Sequence, residues 1–182
     1  MVSIEGLLAD RDAPVIWRGP MKHKDIRQFL GDVEWGRLDF LIIDSPPGTG
    51  DEPMSVAQVV SNARAIIFST PQEVALANEP KAINFCRNAN LAVLGLLENM
   101  SGLICPHCSG EIHLFRQGGG QRTATAKGIP FLGSLPFDLR AMEGGDLGLP
   151  LGESPESRSF FRAMTAMLDE VEAKCQEIDQ EK

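Results

Sequence analysis

Leu38-Asp39-Phe40-Leu41-Ile42-Ile43-Asp44, followed by Ser45-Pro46-Pro47-Gly48-Thr49-Gly50-Asp51, is the stretch that decides the fold class. An apolar run this short, closed by turn residues, is predicted as a strand buried on both faces, as in a parallel sheet. Such a strand delivers Asp44 at its carboxyl end, the edge where α/β sheets bind ligands. A carboxylate there can hold magnesium beside a nucleotide phosphate, in the manner of a Walker B strand. It can equally cap a strand-to-helix loop, and the strand pattern alone fits both.

Working outward, residues 21–33 carry Ile26, Phe29 and Leu30 at helical spacing, and residues 52–62 also read as a helix. Residues 64–70, RAIIFST, form a second buried strand closed by Pro71. Residues 72–88 are helical in character, with Pro80 placed to break or kink them. Residues 91–99, LAVLGLLEN, are predicted as a third strand and 131–135 as a shorter fourth. Between these two lies an irregular insert, 100–120, with a Cys-Pro-His-Cys and a Gly-Gly-Gly. A final helix over 154–178 opens at Ser154-Pro155, a good N-cap and first-turn pair. Strands alternating with helices imply βαβ units. The expected fold class is α/β, a mostly parallel sheet flanked by helices, in a single domain over 1–182.

Composition narrows the function. The 182 residues are 43% apolar and 23% charged, close to a soluble globular average. Seventeen Lys and Arg against 25 Asp and Glu give a net charge of -8, which disfavours nucleic acid and anionic membrane as partners. No apolar stretch is long enough to span a bilayer, and MVSIEGLLADRD does not read as a secretory signal. Four cysteines, two of them in a C-x-x-C, suit a cytosolic metal or redox site better than a disulfide framework.

Cys105 and Cys108 can chelate one metal centre, because the two-residue spacing points both sulfurs the same way. One pair supplies two ligands, whereas a closed zinc site or a [4Fe-4S] cluster normally takes four. The others would come from His107 or His113, from remote groups or from a second subunit; a redox pair or an inert loop is the plainer alternative. Cys86, beside Phe85, and Cys175, in register with Met164, Leu168, Val171 and Ile178, read as core or interface residues. His23, between two lysines, reads as a solvated helix start. No Ser-His-Asp constellation stands out.

Five ordered motifs carry a resemblance. They are WRGPM (17–21), WGRLDFLIIDSPPGTGD (35–51), TPQEVAL (70–76), ENMSGLICPHC (98–108) and LGSLPFD (132–138). Together they resemble the Mrp/ApbC group of iron–sulfur carrier ATPases, relatives of MinD and ParA among the P-loop NTPases, over residues 14–150. The resemblance implies that Asp44 is Walker B-like, and that Cys105 and Cys108 bind a [4Fe-4S] cluster shared across a homodimer. It implies that Asn99, Pro136 and Asp138 meet an adenine ring, and that Gly48, Thr49, Gly50 and Asp51 lie near phosphates or a switch. It also implies ATP and Mg2+ as cofactors, apo iron–sulfur proteins as cluster recipients, and a cytoplasmic setting.

One departure is as informative as the matches. No Lys in this sequence follows a Gly or precedes Ser or Thr, so no G-x-x-x-x-G-K-[ST] loop is present. The chain is expected to represent the C-terminal two-thirds of a P-loop ATPase domain, and not to hydrolyse ATP alone. By analogy with relatives, residues 38–44 and 64–70 then lack the strand that would lie between them. The competing readings are a cluster- or Zn2+-binding protein without ATPase activity and a MinD- or ParA-like positioning ATPase. The second is disfavoured by the acidic tail, LDEVEAKCQEIDQEK, and by a Cys pair it would not use.

Overall fold

In a computed structural model of the protein, residues 2, 3, 6, 19–105, 107, 108, 110–149 and 158–180 are described. Trp17, Arg18, Pro106 and the helix start at 154–157 lie outside them. The chain divides into two compact units, Met1–Ala63 and Arg64–Lys182.

The second unit holds the sheet. Its elements are β1 (Arg64–Ser69), α3 (Glu73–Leu76), α4 (Glu79–Asn88), β2 (Ala92–Glu98), β3 (Leu103–Ile104), β4 (Glu111–Ile112), α5 (Gly119–Lys127), β5 (Phe131–Ser134), α6 (Leu139–Leu147) and α7 (Arg158–Gln180). The first unit supplies α1 (Gly19–Gly31) and α2 (Asp51–Val59). The sheet order is β1-β2-β5, all parallel, as the alternating pattern predicts. The insert is less irregular than expected, since β3 and β4 pair antiparallel as a small hairpin.

β2 shows why its sequence is apolar on both sides. Successive strand residues point to opposite faces, so Leu96 packs with Ile67, Ile83 and Ala124 under α4 and α5. Leu97 packs with Leu132, Leu135, Phe160 and Met167 under α7. Gly95 leaves room for β5, because a Cβ there would stand 2.6 Å from Leu132 Cγ and 2.9 Å from the Pro130 carbonyl. Pro80 divides residues 72–88 as the sequence predicts. It lies in the first turn of α4, where a missing N–H costs nothing, and the short α3 precedes it.

The expected strand over 38–44 is not formed. These residues are in no ladder, and Leu38, Phe40, Leu41, Ile42 and Ile43 are exposed, Ile42 to 85%. Strand propensity measures fit to a half-buried pleated surface, and no neighbouring strand meets this run among the described residues. β1, in turn, pairs along one edge, with β2, and exposes Phe68.

Candidate functional site

The predicted site residues fall into two groups, one in each unit. In the first, Asp44 ends the apolar run and is exposed, as are Gly48, Thr49, Gly50 and Asp51. Gly48 takes φ +103, which only glycine adopts without strain, and Gly50 is the N-cap of α2. Asp51 and Glu52 occupy the first turn of α2, where their charge favours the helix dipole. The Asp51 carboxylate also packs against Gly19, where a Cβ would come within 2.6 Å of Oδ2. Lys22 pairs with Glu52, which lowers the Glu52 pKa and raises that of Lys22 through their shared hydrogen bond. Gly19 with Asp51, and Lys22 with Glu52, thus bring the starts of α1 and α2 together.

The second group gathers at the carboxyl end of the sheet. Glu98 closes β2, 2% exposed, and its Oε2 accepts the Gly120 N–H at 2.8 Å. Asn99 follows, its N–H donating to the Ser69 carbonyl at 2.8 Å and its Oδ1 accepting the Met100 N–H at 2.9 Å. That side-chain bond supports Met100 in a left-handed conformation, φ +58, unusual for a residue with a Cβ. The chain turns there and runs into the Cys hairpin.

Cys105 sits at the end of β3 and Cys108 in the turn beyond it, exposed. The Cys105 N–H donates to the Gly110 carbonyl at 2.9 Å, closing the turn. The backbone N–H groups of His107 and Cys108, and the Cys108 side chain, stabilise a thiolate at Cys105 and hold its pKa below the ordinary 9.0. A thiolate in a cradle of N–H donors is the state that binds a soft metal ion. Among the described residues no three His, Cys, Asp or Glu side chains converge as a metal site. His113 instead contacts Gln117 and Glu111, so the zinc arrangement with a histidine from the same chain gains no support.

Pro136 and Asp138 lie in the β5–α6 loop, both partly buried. The Asp138 Oδ1 accepts the Ala141 N–H at 2.9 Å and caps α6. Cys86 is buried and its thiol is pushed up in pKa by desolvation, as expected of a core residue. Cys175 stands on α7 beside Arg64, whose pKa is raised by hydrogen bonding to Cys175 and then to Asp179. Sequence reasoning missed Glu98, Ser101, Gly102 and Phe137. For Glu98 the signal was present: an acidic residue at the end of a fully apolar strand.

A parallel α/β sheet of this kind occurs in the MinD-like P-loop ATPases. The Pyrococcus furiosus cell division ATPase MinD matches with TM-score 0.55 and 21% identity, over 86% of this chain and 59% of its own, a likeness of fold. The ParA family description "NUBPL iron-transfer P-loop NTPase" matches residues 1–172, and the chain belongs to that family. It is similar to the iron–sulfur cluster carrier protein of Pyrococcus horikoshii, 46% identical over 169 residues, which cover 91% of this chain and 57% of the relative. It is similar also to the cytosolic Fe-S cluster assembly factor CFD1 of Eremothecium gossypii, 52% identical over 146 residues, 79% of this chain and 52% of the relative. Among solved structures, a nucleotide-binding protein from Archaeoglobus fulgidus, in complex with ADP, matches with TM-score 0.66 and 40% identity over 78% of this chain and 58% of its own. The chain spans little more than half the length of the curated relatives it matches. No helix among the described residues is long and apolar enough to cross a membrane.

Proposed function

We propose that this chain is the cluster-binding portion of an ATP-dependent iron–sulfur cluster carrier. Cys105 and Cys108 take the cluster as cargo, and the recipients are apo iron–sulfur proteins of the cytoplasm. The observation that carries this reading is the Cys hairpin: two thiols at the tip of one β-hairpin, in a turn closed by the Cys105 N–H on the Gly110 carbonyl at 2.9 Å. Two ligands per chain and four for a [4Fe-4S] cluster imply two copies bridged by one cluster. Family membership and the names of the relatives support the same cargo.

The nucleotide reading follows the family. Asp44 would hold Mg2+, residues 48–51 would approach the phosphates, and Asn99, Pro136 and Asp138 would meet the base. Since its carboxylate caps α6, Asp138 offers the base its backbone and the wall of its loop. The chain then acts as the C-terminal two-thirds of one ATPase domain.

Anaerobic reconstitution with iron and sulfide tests the proposal. A brown dimer is expected, with Cys105→Ser and Cys108→Ser each abolishing colour and bridging. A monomer that instead retains one zinc ion through both thiols would overturn it.

A further inference from the structure

We infer that the segment 135–137, and the Phe137 backbone above all, is the mount of the Cys hairpin: a positioning element that sets where Cys105 and Cys108 stand relative to the sheet. The inference rests on the proposed sharing of a cluster between two copies, because sharing requires two pairs of thiols presented at fixed positions.

The hairpin cannot hold itself. β3 and β4 have two residues each and pair only as Leu103↔Ile112 and Ile104↔Glu111. A two-stranded hairpin even several residues longer is marginal in water, and needs a third strand or a packed face. Neither face is fully packed: Ile104 on one and Ile112 on the other are exposed, and only Leu103, opposite Ile112, is half-buried. Stability and direction must come from a third strand.

That strand is the continuation of β5. The Leu135 N–H donates to the Glu98 carbonyl at 2.8 Å, the last rung between β2 and its neighbour. The chain leaving β2 then kinks at left-handed Met100 and meets the same neighbour again. Ser101 donates to the Leu135 carbonyl twice, through its N–H at 3.0 Å and its Oγ at 3.0 Å. The Phe137 N–H donates to the Gly102 carbonyl at 2.6 Å, and Leu103 bridges Phe137 in parallel. Gly102 is buried, and a Cβ on it would press to 3.3 Å from the Glu111 carboxylate. Just beyond Phe137, Asp138 caps α6, so the mount is fixed on both sides. The thiol turn itself closes separately, through Cys105 N–H and the Gly110 carbonyl. Loss of the mount therefore leaves a chelating pair whose position is no longer set.

The test is Phe137→Pro, which deletes the N–H while leaving an extended backbone accessible, with Ser101→Ala and the conservative Ser101→Thr beside it. Amide hydrogen exchange is followed across the 182-residue chain, together with alkylation of the two thiols and the yield of iron- and sulfide-reconstituted dimer by sedimentation. Phe137→Pro should lower protection over 103–112 at least tenfold and leave β1, β2 and the alkylation rates within about twofold of wild type. Dimer yield should fall at least tenfold. Ser101→Ala should lie between, and Ser101→Thr should recover most of the loss. Unchanged protection over 103–112 in Phe137→Pro would overturn the mount. If Phe137→Pro unfolds the sheet, equal protection over 103–112 in Ser101→Ala and wild type overturns it instead. A wild type that forms no bridged dimer sinks the cluster-sharing reading, while the exchange result still decides the mount.

Discussion

Removing the Glu98 carboxylate should weaken the second unit more than any exposed substitution in it. Glu98 is 2% exposed at the end of the central strand, and Oε2 receives the Gly120 N–H at 2.8 Å in the first turn of α5. Oε1 stands 3.4 Å from the Ser134 Oγ. A hydrogen bond to a charged group contributes about 1.5–3 kcal/mol, and Glu98→Ala also leaves a buried Gly120 N–H without an acceptor. Adding the packing lost with the side chain gives about 3–4 kcal/mol for Glu98→Ala. Glu98→Gln keeps an acceptor of the same reach and should cost about 1 kcal/mol. With a urea slope of about 2 kcal/mol per molar, the midpoints should fall by about 1.5–2 M and about 0.5 M. Equilibrium unfolding followed by far-UV circular dichroism measures both. If the two variants lose the same stability, the acceptor role is refuted. If both stay within about 0.5 M of wild type, the buried carboxylate contributes nothing.

Four further outcomes are expected. Glu79 is 3% exposed with neither carboxylate oxygen hydrogen-bonded among the described residues, so Glu79→Met should raise stability by about 1–2 kcal/mol, and a loss in the same urea assay would contradict this. The Cys105 pKa is depressed, so its thiolate form is favoured by the fold, that stabilisation is complete above the ordinary 9.0, and it fades as pH falls through the folded value. Iodoacetamide should accordingly modify Cys105 with a pH midpoint below 9.0, and Cys108→Ala should move it back upward. The chain should bind ATP weakly and show no magnesium-dependent turnover; turnover that disappears in Asp44→Ala would refute the expectation drawn from the missing G-K-[ST] loop. Supplying a relative's P-loop segment as a separate polypeptide should raise solubility and amide protection over 38–44, whereas full protection in the chain alone would refute the missing-strand account.

The sheet was legible because its central strand is covered on both faces. AVLGLLE is a continuous apolar run for the same reason that Leu96 and Leu97 enter opposite core clusters, and RAIIFS beside it is as apolar although Phe68 stays exposed. The run over 38–44 has the same composition and fails as a strand, since composition states what a segment needs and a neighbour decides whether it is met. α5 was hidden by Gly118-Gly119-Gly120, which reads as a loop. In the structure, Cβ atoms on the last two would strike Leu76 and Leu96, so the glycines let the helix start close against α3 and β2. α6 was hidden likewise by Gly144 and Gly145. Cys105 and Cys108 announced themselves by spacing, but their support is backbone hydrogen bonding from 135–137, which no residue type signals.

The exposed run over 38–44 also bears on how the protein is made. Synthesis proceeds from the N-terminus at roughly 5–20 residues per second, so this stretch leaves the ribosome on the order of ten seconds before Phe160 and Met167 of α7 can complete their core. Through that interval Phe40, Leu41, Ile42 and Ile43 form an unpaired apolar β-prone segment, the kind that seeds aggregation between nascent chains. A general chaperone that binds apolar peptides therefore has a target in this run until a neighbouring strand pairs with it, and the yield of this chain in cells should follow chaperone supply.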